Sequence, residues 1–144
     1  MRARHRIEFY TDGACPGNQR VGECRQMGAG IVGVSDGRER DAPLPLGPGT
    51  NQKAELLAVR EALLKVRDRP STEVTIYTDS QYAIGCLTGG WKVKANSEIV
   101  ASILPLIREC AAFRMVKVPG HSGHPLNERA DALAVAAATK GEPS

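Results

Sequence analysis

The chain has 144 residues, a mass of 15.4 kDa, a formal net charge of +3 and a pI near 8.8. This length predicts one domain over residues 1–144, with frayed ends at 1–5 and 141–144, because a domain of about 150 residues buries about 68–70% of its extended surface. The mildly basic balance excludes a histone-like tail but permits nucleic-acid binding.

Neither end carries an apolar stretch long enough for a signal peptide or a membrane span. The sequence therefore predicts a cytoplasmic monomer that does not contact membranes. Its cysteines show no CxxC pair and no zinc-ligand spacing, which predicts reduced, structural thiols. They are Cys15, Cys24, Cys86 and Cys110.

The first part of the chain predicts three antiparallel strands. A strand at 6–13 is followed by a loop rich in turn formers and by a second strand at 28–35. Asp36-Gly37 predicts a hairpin turn into a third strand at 38–47. Two prolines place this third strand at a sheet edge, because proline cannot donate to a central ladder.

The second part predicts helices and parallel strands. A helix at 51–69, stopped by Pro70, leads into a strand at 74–78. Because a helical crossover separates that strand from the first one, the two are expected to pair in parallel. The remaining elements are a short helix, a longer helix containing Pro105, a strand and an Ala-rich helix, at 80–88, 97–112, 113–118 and 126–140.

Two predicted strands end in the same letters, Tyr-Thr-Asp, within IEFYTDG at 7–13 and VTIYTDS at 74–80. Parallel pairing would place Asp12 and Asp79 at the same edge of the sheet, pointing the same way. Two like charges held together are costly unless a cation lies between them. The repeat therefore predicts a cation site.

Two further acids lie on helix faces that should pack against the same sheet. On a helical wheel, Val59, Ala62 and Val66 fall within about 40° of Glu55. Asp131 is followed by Ala134, Val135 and Ala138 at i+3, i+4 and i+7, a weaker pattern because alanine covers most of this helix. The alternative for Glu55 is a favourable interaction with the helix dipole.

Four converging carboxylates suit a pair of hard divalent cations such as Mg²⁺, about 3.5–4 Å apart, at a phosphodiester. Zinc is disfavoured. His121 and His124 have an HxxH spacing, but no thiol or third histidine stands near them in the sequence.

The segments YTDG, TNQKAEL, YTDSQY and GHSGHPLNERAD occur in the order seen in type 1 ribonuclease H, which the chain resembles from about residue 6 to residue 140. The resemblance implies an α/β fold with a five-stranded mixed sheet, order 3-2-1-4-5, flanked by helices. It implies endonucleolytic cleavage of the RNA strand of RNA/DNA hybrids, leaving 5′-phosphate and 3′-hydroxyl ends. It also implies two Mg²⁺ ions per site, with Mn²⁺ as a substitute.

The same resemblance implies the roles of individual residues. Asp12, Glu55, Asp79 and Asp131 match the metal-binding carboxylates of the family. His121 matches a histidine thought to assist proton transfer or product departure, which neutral imidazole could do near pH 7.

The residues that match the family's substrate contacts fall into three groups. Amides that meet the minor groove of the hybrid are matched by Asn18, Asn51, Gln52 and Gln81. Thr50 and Asn96 match a pocket for a DNA-strand phosphate, and Trp91 matches a stacking surface in the DNA channel. The alternatives are turn and cap roles for the amides and a core position for Trp91.

The chain departs from the family pattern in two places. Only TGGW, at 88–91, stands where many members carry a basic protrusion, and the first loop, with RVGECRQM at 20–27, is longer than usual. The missing protrusion predicts weak hybrid binding with a shallow salt dependence. Two alternatives to catalysis on hybrids remain open: a noncatalytic hybrid-binding module, and a related nuclease that acts on double-stranded RNA or a DNA junction.

Overall fold

The computed structural model describes residues 4–16, 23–119 and 123–140. Its strands are β1 (His5–Ala14), β2 (Glu23–Ser35), β3 (Arg38–Thr50), β4 (Thr72–Thr78) and β5 (Ala112–Lys117). Its α-helices are α1 (Asn51–Leu64), α2 (Gln81–Leu87), α3 (Ser97–Glu109) and α4 (Pro125–Lys140), and a short 3₁₀ helix spans Arg69–Ser71.

The strands form one mixed sheet in the order β3-β2-β1-β4-β5, as the resemblance implied. β1 pairs with β2, and β2 with β3, in antiparallel fashion, whereas β1 and β4 are parallel, as are β4 and β5. In the β1–β4 register the Cα of Tyr10 is opposite that of Tyr77. The two Tyr-Thr-Asp segments therefore run side by side, which confirms the parallel pairing predicted for them.

The hairpin between β2 and β3 turns at Asp36 and Gly37, both with positive φ (52° and 75°). Two consecutive residues with positive φ give the turn whose twist matches paired strands. β3 lies at the sheet edge, as its prolines predicted, and extends to Thr50, three residues beyond the predicted end.

The main core lies between the sheet and α1 with α3. Ile31, Val74 and Ile76 of the sheet are buried against Leu56 of α1 and Ile103 of α3. These strand positions alternate with outward-facing ones, because successive side chains point to opposite faces.

Helix α4 packs on the other face of the sheet, mainly over β2 and β1. A Cβ added to Gly28 or Gly30 of β2 would overlap the backbone of α4 at Ala134 or Ala130. Glycine in the strand and alanine in the helix thus allow a close approach. This packing brings the first half of α4 to the edge where β1 ends.

Helix α1 ends five residues before the predicted boundary at 69. Its last turn is closed by the N–H groups of Lys65 and Val66, and Arg69 Nη1 donates to the carbonyls of Leu63 and Val66 at 3.1 and 3.4 Å. The guanidinium therefore satisfies carbonyls that helix ends leave without a partner. Val66 lies beyond the helix but remains buried.

The cysteines differ in part from the prediction of reduced thiols. Cys86 and Cys110 are free, but Cys15 is disulfide-bonded, so the prediction is wrong for Cys15. Within the described residues, no helix is long and apolar enough to cross a membrane.

Candidate active site

Three acids meet where β1 and β4 end. Carboxylate oxygens of Asp12, Glu55 and Asp79 all lie within 4.8 Å of one another. Asp12 belongs to β1, Asp79 follows β4 directly, and Glu55 lies in the first half of α1. The parallel pairing of β1 and β4 accounts for the two aspartates, and the packing of α1 accounts for the glutamate.

Gly13 brings α1 onto the end of β1. A Cβ at Gly13 would overlap the backbone of Ala54 and Glu55, so a side chain there would push the helix away. The Gly13 N–H donates to Glu55 Oε1 at 2.5 Å. Glu55 is thus tied to the residue that follows Asp12. Val59, Ala62 and Val66 are buried as the helical wheel predicted.

Asp131 lies beside this cluster rather than within it. Its side chain is exposed, yet it is close enough to Asp12 to help raise the pKa of that carboxyl. The sequence placed Ala134, Val135 and Ala138 on the sheet-facing side with Asp131. This was wrong for Val135, which is 43% exposed. The buried face of α4 is formed by Ala130, Ala134, Ala137 and Ala138, which places Asp131 at its rim.

The cluster favours protons over bare negative charge. Burial, reinforced by the charge of Glu55, raises the pKa of Asp12 to about 10. Burial and the charge of Asp79 raise the pKa of Glu55 to about 8, although the Gly13 N–H opposes this shift. Among the described residues, none of the ion pairs includes Asp12, Glu55, Asp79 or Asp131. Within the described part of the chain, no side-chain cation therefore pairs with these acids.

The donor set fits a hard divalent cation. All ligand atoms that converge here are carboxylate oxygens, which Mg²⁺ and Mn²⁺ prefer, and neither nitrogen nor sulfur joins them within the described part of the chain. Asp12, Glu55 and Asp79 could hold such an ion directly. Binding it would relieve the repulsion that, after burial, raises the pKa of Asp12 and Glu55.

The amide and hydroxyl residues matched to substrate contacts surround this edge. Asn51 and Gln52 are exposed in the first turn of α1, and Thr50 caps that helix by accepting from the Lys53 N–H at 3.1 Å. Gln81 is exposed at the start of α2. Thr50 is therefore the N-cap of α1, and its side chain remains partly exposed.

Trp91 is 48% exposed and is not a core residue. Its ring rests on Gly85 of α2, where a Cβ would overlap it. Because Gly85 lacks a side chain, the indole can pack closely against α2 while about half of the residue stays exposed. This arrangement suits a stacking surface.

Asn96 has a left-handed backbone (φ 61°) just before α3. Its amide donates to the Tyr82 hydroxyl at 3.1 Å, and that hydroxyl donates to the Ala95 carbonyl at 3.3 Å. Sequence reasoning did not identify Tyr82 as its support. Asn18 and His121 lie outside the described residues, so their predicted roles stay predictions.

The tyrosines of the repeated segments form a stack that the sequence did not predict. The rings of Tyr10 and Tyr77 lie 4.6 Å apart and nearly parallel, and His124 lies 5.1 Å from Tyr10 on the same face of the sheet. Tyr77 donates to Glu8 at 2.7 Å. The signal that could have found this stack was the strand register, because cross-strand partners share a face.

The RNase H family model matches residues 4–139. The chain belongs to the RNase H family. Curated members are similar over most of their length: Ribonuclease H from Desulforamulus reducens is 36% identical, covering 92% of this chain and 87% of the relative. Ribonuclease H from Cupriavidus metallidurans is 39% identical, covering 89% and 92%.

Solved RNase H structures share the fold. LC11-RNase H1, isolated from compost, superposes with a TM-score of 0.77 at 27% identity, covering 94% of this chain and 97% of that one. The same protein has been solved in complex with an RNA/DNA hybrid. RNase H1 from Halobacterium salinarum superposes with a TM-score of 0.74 at 29% identity, covering 94% and 99%.

Proposed function

We propose that this chain is an endonuclease that hydrolyses the RNA strand of RNA/DNA hybrids with the help of two Mg²⁺ ions, for which Mn²⁺ can substitute. The observation that carries the proposal is the meeting of Asp12, Glu55 and Asp79 within 4.8 Å, where no cationic side chain of the described residues forms an ion pair with them. Membership of the RNase H family and the hybrid complex of LC11-RNase H1 support the choice of substrate.

The four acids have one shared role in this proposal, which is to hold the cations. Bound divalent cations would activate a water molecule on one side of the phosphodiester and stabilise the leaving oxygen on the other. Asp131, exposed at the rim and close to Asp12, would complete the set from the side of α4. His121 would accept or deliver a proton, and the products would carry 5′-phosphate and 3′-hydroxyl ends.

The surrounding side chains would hold the duplex. Side-chain amides can both donate and accept, which suits 2′-hydroxyls and base edges in the minor groove. Thr50 and Asn96 would contact a phosphate of the DNA strand. Trp91 would provide a stacking surface for the DNA strand in its channel. The amides assigned to the groove are Asn18, Asn51, Gln52 and Gln81. A single domain over residues 1–144, a monomeric state and a cytoplasmic location stay predictions.

The test is a substrate panel. Purified protein is incubated with Mg²⁺ and with hybrid, duplex RNA and duplex DNA, each labelled on one strand at a time. We expect internal cleavage of the RNA strand of the hybrid alone, lost when the metal is chelated. Preferential cleavage of duplex RNA would show a different nuclease, and hybrid binding without cleavage would show a noncatalytic module.

A further inference from the structure

Lys117, the last residue of β5, lies at the acidic edge, which is the edge of the sheet where Asp12, Glu55 and Asp79 meet. No motif marks this lysine. Its Cα is opposite that of Thr78 in β4, and Thr78 directly precedes Asp79. The next residue, Val118, is buried, and its N–H donates to the Thr78 carbonyl at 2.9 Å. The backbone that carries Lys117 is thus fixed beside the carboxylate cluster.

The Lys117 side chain is bound to an amide. It is exposed, and it takes part in none of the ion pairs found among the described residues. Its Nζ donates to Gln81 Oε1 at 2.9 Å. A lysine ammonium can only donate, so it pairs only with the oxygen of the amide.

This contact determines which end of Gln81 is free. With Oε1 held by Lys117, the amide NH₂ group turns away from the lysine, and it has no hydrogen-bond acceptor in the described part of the chain. The backbone beneath is fixed as well, because Ser80 caps α2 by accepting from the Ala83 N–H at 3.0 Å. Without Lys117, the amide could rotate and present either its oxygen or its nitrogen.

A donor in this place matches a general feature of duplexes. The minor groove offers an acceptor at every base pair, from purine N3 or pyrimidine O2, and a 2′-hydroxyl can accept as well. We propose that Lys117 is a positioning residue that holds Gln81 as a hydrogen-bond donor toward the minor groove of the duplex. This inference rests on the proposed function and adds to it a residue outside the family motifs.

The test measures kcat and KM for hybrid cleavage in wild type, Lys117→Met, Gln81→Ala and the double variant. Losing one oriented hydrogen bond raises KM by about 3- to 10-fold, with kcat within about twofold of wild type. Because both residues act through one contact, the double variant should lose no more than Gln81→Ala alone. Lys117→Arg should restore most of the loss, since a guanidinium N–H can donate to the same oxygen.

Lys65→Met is the matched control, because Lys65 is exposed at the end of α1 and makes no ion pair within the described residues. It should leave KM unchanged, and unfolding midpoints should confirm that every variant folds. Three results would overturn the inference. The increases in KM could multiply in the double variant, KM could stay unchanged in Lys117→Met or Gln81→Ala, or Lys65→Met could raise KM equally. If wild type cleaves no hybrid, the proposed function fails together with this inference. If wild type cleaves hybrid and one of these results is found, only this inference fails.

Discussion

β1 and β4 carry charged residues at both of their ends, and the two ends treat them differently. Where the strands begin, Arg6 and Glu73 have opposed Cα atoms and form an ion pair at 2.8 Å. Six residues later in the sequence stand Asp12, in β1, and Asp79, directly after β4, two like charges at the acidic edge. The parallel pairing of the two strands therefore brings opposite charges together at one end and like charges together at the other.

The paired charges are exposed and the unpaired one is buried, which is the opposite of what stability alone would favour. The side chains of Arg6 and Glu73 are 86% and 38% exposed, so their attraction contributes at most about 1 kcal/mol. Asp12, by contrast, is only 7% exposed and has no cationic partner among the described residues. The opposite charges at one end thus neutralise each other, whereas the acids at the other end are the ones to which the proposed function assigns divalent cations.

The largest expected effect comes from removing one acid at the acidic edge. Asp12→Asn should abolish cleavage while the protein still folds, because the amide keeps the shape and relieves repulsion between neighbouring carboxylates. Hybrid binding should persist or strengthen. Turnover assays with Mg²⁺ and circular dichroism check this expectation. Near wild-type turnover in this variant would end the metal assignment.

Next in size is the loss of His121. We expect His121→Ala to slow turnover by about 10²-fold or less, the range of general acid–base catalysis, without removing metal dependence. His5→Ala, an exposed histidine at the start of β1, is the matched control and should have no effect. A loss as complete as that of Asp12→Asn would instead indicate that His121 is a ligand.

A smaller effect concerns hybrid affinity. Only Thr88, Gly89 and Gly90 lie between the end of α2 and Trp91, so this segment carries no cation. Each phosphate neutralised by a cation steepens the fall of log affinity with log salt by about 0.9 for duplex DNA. We expect weak binding with a shallow slope, and a gain when a basic helix is grafted between Leu87 and Trp91.

Binding measured at several salt concentrations checks this third expectation. A graft of equal length with glutamine in place of each cation is the control and should bring no gain. An ungrafted slope as steep as that of a relative with the basic protrusion would show that another surface supplies the cations, such as the first loop with Arg20 and Arg25.

The smallest effect belongs to the neutralised end of the strands. Glu73→Gln removes the partner of Arg6 by the same carboxyl-to-amide change as Asp12→Asn. Because the pair is exposed, we expect the free energy of unfolding to fall by at most about 1 kcal/mol, with unchanged cleavage. Urea unfolding and turnover assays check this. A loss of activity would show that the two ends are not independent.

Much of the site was predictable because local signals agreed with the fold. The helical crossover predicted the parallel strands that bring the two Tyr-Thr-Asp segments together, and the helical wheel of Glu55 predicted its inward face. Asp131 was placed less well, because an alanine-rich helix gives little contrast between its faces. The contact of Lys117 with Gln81 had no sequence signal, since it joins side chains 36 positions apart.

We expect the acids at the acidic edge to bind a divalent cation, and unfolding midpoints with and without Mg²⁺ at several pH values measure that binding. Asp12 has a pKa of about 10 when folded against an ordinary 3.8, so the folded protein binds more protons between these values. Without metal, the free energy of unfolding should therefore decrease as pH rises through that window. Mg²⁺ should raise the midpoint of wild type and Glu73→Gln, increasingly so at higher pH, but not that of Asp12→Asn. If Mg²⁺ raised the unfolding midpoint of Asp12→Asn as much as that of wild type, the cation would not bind through Asp12.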